Sequence, residues 1–228
     1  LIIAIIANHI IYSNYNFNLK DTRDMKLLKI LLAALFILET QNATAQTKND
    51  LSRIENYLNS VKTLQARFVQ NASNGNVSEG TLYIEKPNKI HMEYAAPTNV
   101  LIVGNGDYIV YNDKDLDQVS NIDYDDIPAS LILGNDIKID GKNIKVASFY
   151  KDAGTTIIGL DYKGKGNLGT ITLTFNNSPF ELRQWKIIDP QSVEVAVSLY
   201  GTQIDKPLDQ SLFKFRKNKN PLKINKGR

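Results

Sequence analysis

The 228-residue sequence predicts a mainly β protein with short helices, and three observations carry that prediction. A single stretch, residues 50–64, repeats its apolar groups at helical spacing, and the apolar period then falls to two. Turn chemistry recurs between the alternating runs, as in Asn74-Gly75-Asn76, Lys86-Pro87-Asn88, Gly104-Asn105-Gly106-Asp107 and Asp140-Gly141, which is the signature of an antiparallel meander in a sandwich or a barrel-like sheet. The composition, 43% hydrophobic and 22% charged with no cysteine, supports one sizeable core and excludes disulfides, thiol catalysis and thiolate metal sites.

Residues 25–45 read as a secretory signal peptide. Met25-Lys26-Leu27-Leu28-Lys29 is followed by the apolar run 30–38 and the small-x-small end Ala43-Thr44-Ala45. The run is too short to span a bilayer, which takes about 20 apolar residues. Residues 1–24 read as translation from a start placed upstream of Met25. The expected mature domain is 46–216, followed by a basic tail, 217–228. Residues 214–228 carry seven basic groups and no acidic one. A nucleic-acid binder places its basic groups on a folded face, so nucleic acid is not an expected partner.

In the helix expected over 50–64, Leu51, Ile54, Leu58, Val61 and Leu64 form one face, with Asn49 as its N-cap. Strands are expected at 67–70, 81–85, 90–94, 100–103, 108–112, 116–120, 144–150, 155–162, 170–176, 181–188 and 192–200. Between the sixth and seventh, residues 125–134 are too apolar for a surface loop, start acidic and end on Gly134, which predicts one inserted helix. Several strands carry Tyr or Val on both faces. A curved sheet with the two short helices packed into its concave side would bury them, around either an apolar pocket or a filled core.

Gly164-Lys165-Gly166-Asn167-Leu168-Gly169 matches G-x-G-x-x-G, but the alternating Thr170-Ile171-Thr172-Leu173 after it is a strand, so a hairpin loop is expected. Asp123, Asp125 and Asp126 could do acid/base work or bind a cation, yet acidic residues are also favoured at a helix start. His9 and His91 are the only histidines, and His91 points away from its strand neighbours Ile90 and Met92, as a surface or pairing residue. Lys86 falls on the side of Leu82 and Ile84, so an acceptor or water is required at its ammonium. No catalytic residue, metal ligand or cofactor is assigned.

The ordered series Leu64-Gln65-Ala66-Arg67-Phe68-Val69-Gln70, Glu79-Gly80-Thr81-Leu82-Tyr83-Ile84 and Lys86-Pro87-Asn88-Lys89-Ile90 resembles the opening of the outer-membrane lipoprotein carrier family, LolA. Pro97 with Leu101-Ile102-Val103-Gly104-Asn105-Gly106, Asp117-Gln118-Val119 and Ile127-Pro128-Ala129-Ser130-Leu131-Ile132-Leu133 continue it. The resemblance implies an incompletely closed antiparallel β-barrel with an α-helical lid, and a periplasmic carrier rather than an enzyme. Its implied partners are triacylated lipoproteins, an inner-membrane ABC-type release complex and, where present, an outer-membrane receptor lipoprotein. It further implies a monomer whose acyl-chain cavity is lined by Phe68, Leu82, Ile84, Ile90, Met92 and Ile102. Ile127, Leu131 and Ile132 would form the lid side and Lys86 the latch. The family pattern has an arginine at the latch, and a lysine lacks its planar fork of donors. The alternative with the same fold is a periplasmic lipoprotein-sensing or regulatory module. A hydrolase using the three aspartates is a third reading.

Overall fold

The structure, a computed structural model, describes residues 48–127, 130–162, 169–188 and 193–216. The expected signal peptide, residues 1–24, the tail 217–228 and most of the glycine-rich loop lie outside the described residues. The chain divides into two units, Leu1–Asp50 and Leu51–Arg228. The second holds all the strands.

Helix α1 covers residues 48–60. It is followed by β1 (Thr63–Ala72), β2 (Val77–Glu85), β3 (Lys89–Tyr94), β4 (Val100–Asn105), β5 (Ile109–Asp113) and β6 (Gln118–Ile122). A 3₁₀ turn (Tyr124–Asp126) and helix α2 (Ser130–Leu133) lead to β7 (Ile144–Lys151), β8 (Thr155–Tyr162), β9 (Thr170–Asn177), β10 (Phe180–Ile188) and β11 (Glu194–Ile204). A second 3₁₀ turn, Gln210–Phe213, ends the described chain.

All eleven strands form one antiparallel sheet in the order β6-β5-β4-β3-β2-β1-β11-β10-β9-β8-β7. The chain meanders out from the central β1 to the β6 edge, crosses through α2 to the β7 edge, and returns to pair β11 with β1. The two edges do not pair, so the barrel is open at the point where α2 sits. Register shifts at Gln65/Arg67, Val146/Ser148 and Leu182/Gln184 mark bulges, and bulges raise the local twist that coils a sheet. Among the described residues no helix is long and apolar enough to cross a membrane.

Strand parity fixes the core. Ile84 pairs with Ile90, Leu82 with Met92, and Met92 with Ile102, so the alternate apolar residues of β2, β3 and β4 share the concave face. Phe68, Ile158, Leu160, Ile171, Leu173, Phe175 and Leu199 extend it across the sheet. The outer face carries a smaller apolar group. Val103, opposite His91, and Val110, opposite Val103, point outward, and the second 3₁₀ turn packs on β3 and β4 with Phe213 buried. His91 Nδ1 lies 2.7 Å from the Leu212 carbonyl oxygen there.

Both expected helices are corrected at their ends. The first stops at residue 60, and Asn49 lies inside it rather than capping it. Asn59 and Ser60 are poor interior helix residues, and Leu64, whose spacing suits a helix, belongs to the alternation of β1. The second is broken at Ile127, which is extended at φ −124°, as expected of a residue that precedes a proline. The expected strand at 116–120 starts at Gln118 because the Asp113 carboxylate accepts from the amides of Asp115 and Leu116, both at 3.0 Å, holding a turn there.

Candidate functional site

Every residue expected to line the cavity faces the same interior. Phe68, Leu82, Ile84, Ile90 and Met92 are buried in one apolar cluster with the lid residues Leu131 and Ile132, and Ile102 and Ile127 pack partly buried against it. Among the described residues these side chains fill the concave side. A cavity of about 30 Å³ remains between α1, the β2 end and β10, lined by Tyr57, Leu58, Ile84, Lys86, Ile132 and Trp185 among others. Ligand pockets run to about 300–1,000 Å³, so this void is a seam under the lid.

The lid is α1 and α2 together. The Asn59 side-chain amide donates to the Ile137 carbonyl at 2.9 Å, and the Ile137 amide donates back to Asn59 Oδ1 at 2.8 Å. The Ile139 amide donates to Glu55 Oε2 at 3.0 Å. These bonds tie α1 to the segment after α2, so the two pieces can move as one body.

The turn at 86–88, between β2 and β3, holds both pieces to the sheet. Lys86 Nζ donates to the Leu58 carbonyl at 2.5 Å, on α1. The Asn88 amide donates to the Leu133 carbonyl at 3.0 Å, closing α2, and the Tyr124 hydroxyl donates to the Asn88 carbonyl. Asn88 has φ +57°, a left-handed conformation that asparagine tolerates, with its amide bonded to α2 and its carbonyl to Tyr124 of the 3₁₀ turn. Gly104 makes room for Tyr124, since a Cβ there would overlap the tyrosine hydroxyl. Asn59, Glu55, Asn88 and Tyr124 were not singled out as lid contacts from sequence. The Asn59 and Glu55 partners lie 78 and 84 residues away, beyond the reach of any local pattern. The turn signal at 86–88 was visible, but its acceptors were not.

Burial, and then the charge of Lys62, lower the Lys86 pKa to about 8. In the unfolded chain it titrates near 10.5, so between pH 8 and 10.5 the unfolded state holds the extra proton and the Lys86 contribution to stability rises with pH. Below pH 8 both states are protonated and the cost of the buried ammonium is constant. Tyr57, across the seam, has a pKa raised mainly by burial and ionises first when unfolded, which lowers stability at high pH in any variant alike. The unfolding free energy of the wild type relative to Lys86→Met, from urea titrations, should therefore climb from pH 8 to 10.5, by about 1–2 kcal/mol after solvent screening. Parallel curves would contradict this.

Asp123 and Asp126 are exposed at either end of their 3₁₀ turn, and no group of three or more potential metal ligands exists among the described residues. β8 and β9 pair antiparallel up to Asp161 and Thr170, so a strand follows the glycine-rich motif, as a hairpin requires.

The profile described as Outer membrane lipoprotein carrier protein LolA matches residues 59–216. An outer-membrane lipoprotein carrier protein of Pseudomonas paraeruginosa is 27% identical over 202 residues, covering 84% of this chain and 95% of its own. An uncharacterised protein of Rickettsia prowazekii is 27% identical over 208 residues, covering 86% and 89%. Among solved structures, a LolA superfamily protein of Nitrosomonas europaea matches 74% of this chain and 97% of its own at a TM-score of 0.45 and 7% identity. The profile match spans well over half of the sequence, and the family is one of carrier proteins, not enzymes. This chain, with its open eleven-stranded sheet lidded by two helices, belongs to the LolA family of outer membrane lipoprotein carrier proteins.

Proposed function

We infer that the protein is a periplasmic carrier that takes the acyl chains of triacylated lipoproteins beneath its lid and moves them from the inner to the outer membrane. The observation that carries this is the join between an apolar concave face and a lid held to it by few polar bonds, at the turn 86–88 and, from α1, at the Asn177 carbonyl and the Leu182 amide.

The energies permit exchange. Opening the lid exposes Ile54 and Leu58 of α1 and Leu131, Ile132 and Leu133 of α2, all buried, at about 1.5–3 kcal/mol each. Each acyl methylene removed from water returns about 0.8 kcal/mol, so about ten to twenty methylenes repay an open lid. A cargo that binds only the open state shifts the population toward it, and a partner able to offer a drier site can take the cargo back out. The loading partner is an inner-membrane ABC-type release complex and the receiving one an outer-membrane receptor lipoprotein, with the carrier acting as a monomer between them.

The test uses the protein co-produced in the periplasm with a triacylated lipoprotein. Purified carrier should retain the acylated cargo at about one to one, and should lose it to outer-membrane vesicles. A cargo whose N-terminal cysteine is replaced by serine, and so lacks acyl chains, should not be retained. Equal retention of the two cargoes, or of neither, would contradict the reading.

A further inference from the structure

A cleft of about 420 Å³ opens beside the lid, with α2 and residues 134–138 on one side and Asn88, Tyr124 and the start of β7 at Ile144 on the other. Its floor and its rim differ in chemistry. Tyr124, Leu131, Ile137 and Ile144 on the floor all belong to the buried apolar cluster. Asn135, Lys138, Lys142 and Asn143 line it as well. Lys138 is engaged with Glu55 and Asp136, both at 3.4 Å, while Lys142 is exposed and forms no ion pair among the described residues.

An acylated lipoprotein is an amphiphile, and a carrier of its tails must also place the head. The glyceryl ester and amide carbonyls at the acylated cysteine accept hydrogen bonds, and they cost free energy if buried without donors. The peptide that follows must leave for water. A doorway therefore needs an apolar floor continuous with the core, donors at its rim, and the moving element as one wall. This cleft has all three. A second cleft, of about 360 Å³ on the far part of the sheet, is lined by Arg67, Glu79, Thr81 and Tyr200 with Phe68. It borders no lid residue, so lid motion would not widen it.

Resting on the carrier reading above, we propose that the cleft between α2 and β7 binds the acyl-glyceryl head of the cargo, with Lys142, Asn135 and Asn143 donating to its ester and amide carbonyls. The acyl chains pass inward over Leu131 and Ile144 as the lid lifts, and the peptide leaves past Lys142.

The chain has no cysteine, so a single introduced thiol reports its own position. Full chains carrying Lys142→Cys or Val77→Cys are mixed with a tripalmitoyl-S-glycerylcysteinyl peptide bearing a bromoacetyl group on the residue after its cysteine. Val77 is exposed and begins β2 at the end opposite the turn 86–88. A thioether forms with loss of bromide and the thiol proton, and mass spectrometry reads its rate, normalised to the unacylated peptide. The adduct at position 142 should form at least about tenfold faster than at 77. The same label on phosphatidylethanolamine should show a weaker preference for 142, and a stronger one would assign the cleft to phospholipid and overturn the proposal. Equal lipopeptide rates at the two positions, with a separate lipopeptide of brominated acyl chains still quenching Trp185, would overturn the doorway and leave the carrier intact. Loss of quenching and of preference together would overturn both.

Discussion

Gly80→Val should cost the protein at least about 3 kcal/mol, seen as a fall of about 6–12 °C in Tm at this chain size. Gly80 sits in β2 between Phe68 of β1 and Tyr94 of β3. The two rings meet edge to face across it with centroids 5.0 Å apart. A Cβ at this position would overlap the Glu93 carbonyl oxygen and come 2.8 Å from Phe68 Cε1. A backbone oxygen inside a strand ladder cannot step aside as a flexible side chain can, so the strain falls on the β2–β3 pairing itself. Gly154→Val is the contrast, because its Cβ would meet only Asp152 Oδ1 at 3.8 Å, and it should change stability by less than about 0.5 kcal/mol. Thermal unfolding followed by far-UV circular dichroism checks both, and equal effects would contradict the close-approach argument.

Ile90→Glu should abolish acyl-chain binding. Ile90 is 7% exposed on the concave face, paired with Ile84 on one side and Gly104 on the other. A carboxylate there has no cation to pair with in the apolar cluster, and a hydrocarbon chain beside it would remove the water it needs. Ile90→Ala separates loss of binding from loss of fold. It should be destabilised by about 2–4 kcal/mol through the cavity it leaves, yet should still bind acyl chains, since the wall stays apolar. Normal loading by folded Ile90→Glu would place the hydrocarbon elsewhere.

The sheet was legible in the sequence because each strand carries its own alternation and each turn its own chemistry. Residues 81–85 and 90–94, for example, read as strands without reference to any partner, and the register Ile84 with Ile90 follows from the short turn between them. The helix ends were less legible, because Leu64 satisfies the helical spacing of α1 and the alternation of β1 at once. Sequence placed Lys86 at the rim but left its acceptor open, and the Leu58 carbonyl is a tertiary fact. Whether the interior is hollow was not legible at all. Side-chain volumes decide it, and the same concave residues suit a filled core or a pocket until α2 is laid over them.

The closed core makes lid motion the central claim, and Trp185 reports on it directly. It is the only tryptophan in the chain, and it lines the seam beneath the lid with Ile84 and Ile132. A triacylated lipopeptide with brominated acyl chains should quench its fluorescence and saturate at one lipopeptide per chain, with an unacylated peptide giving no change. An unquenched Trp185 at saturating lipopeptide would mean that hydrocarbon does not enter beneath the lid.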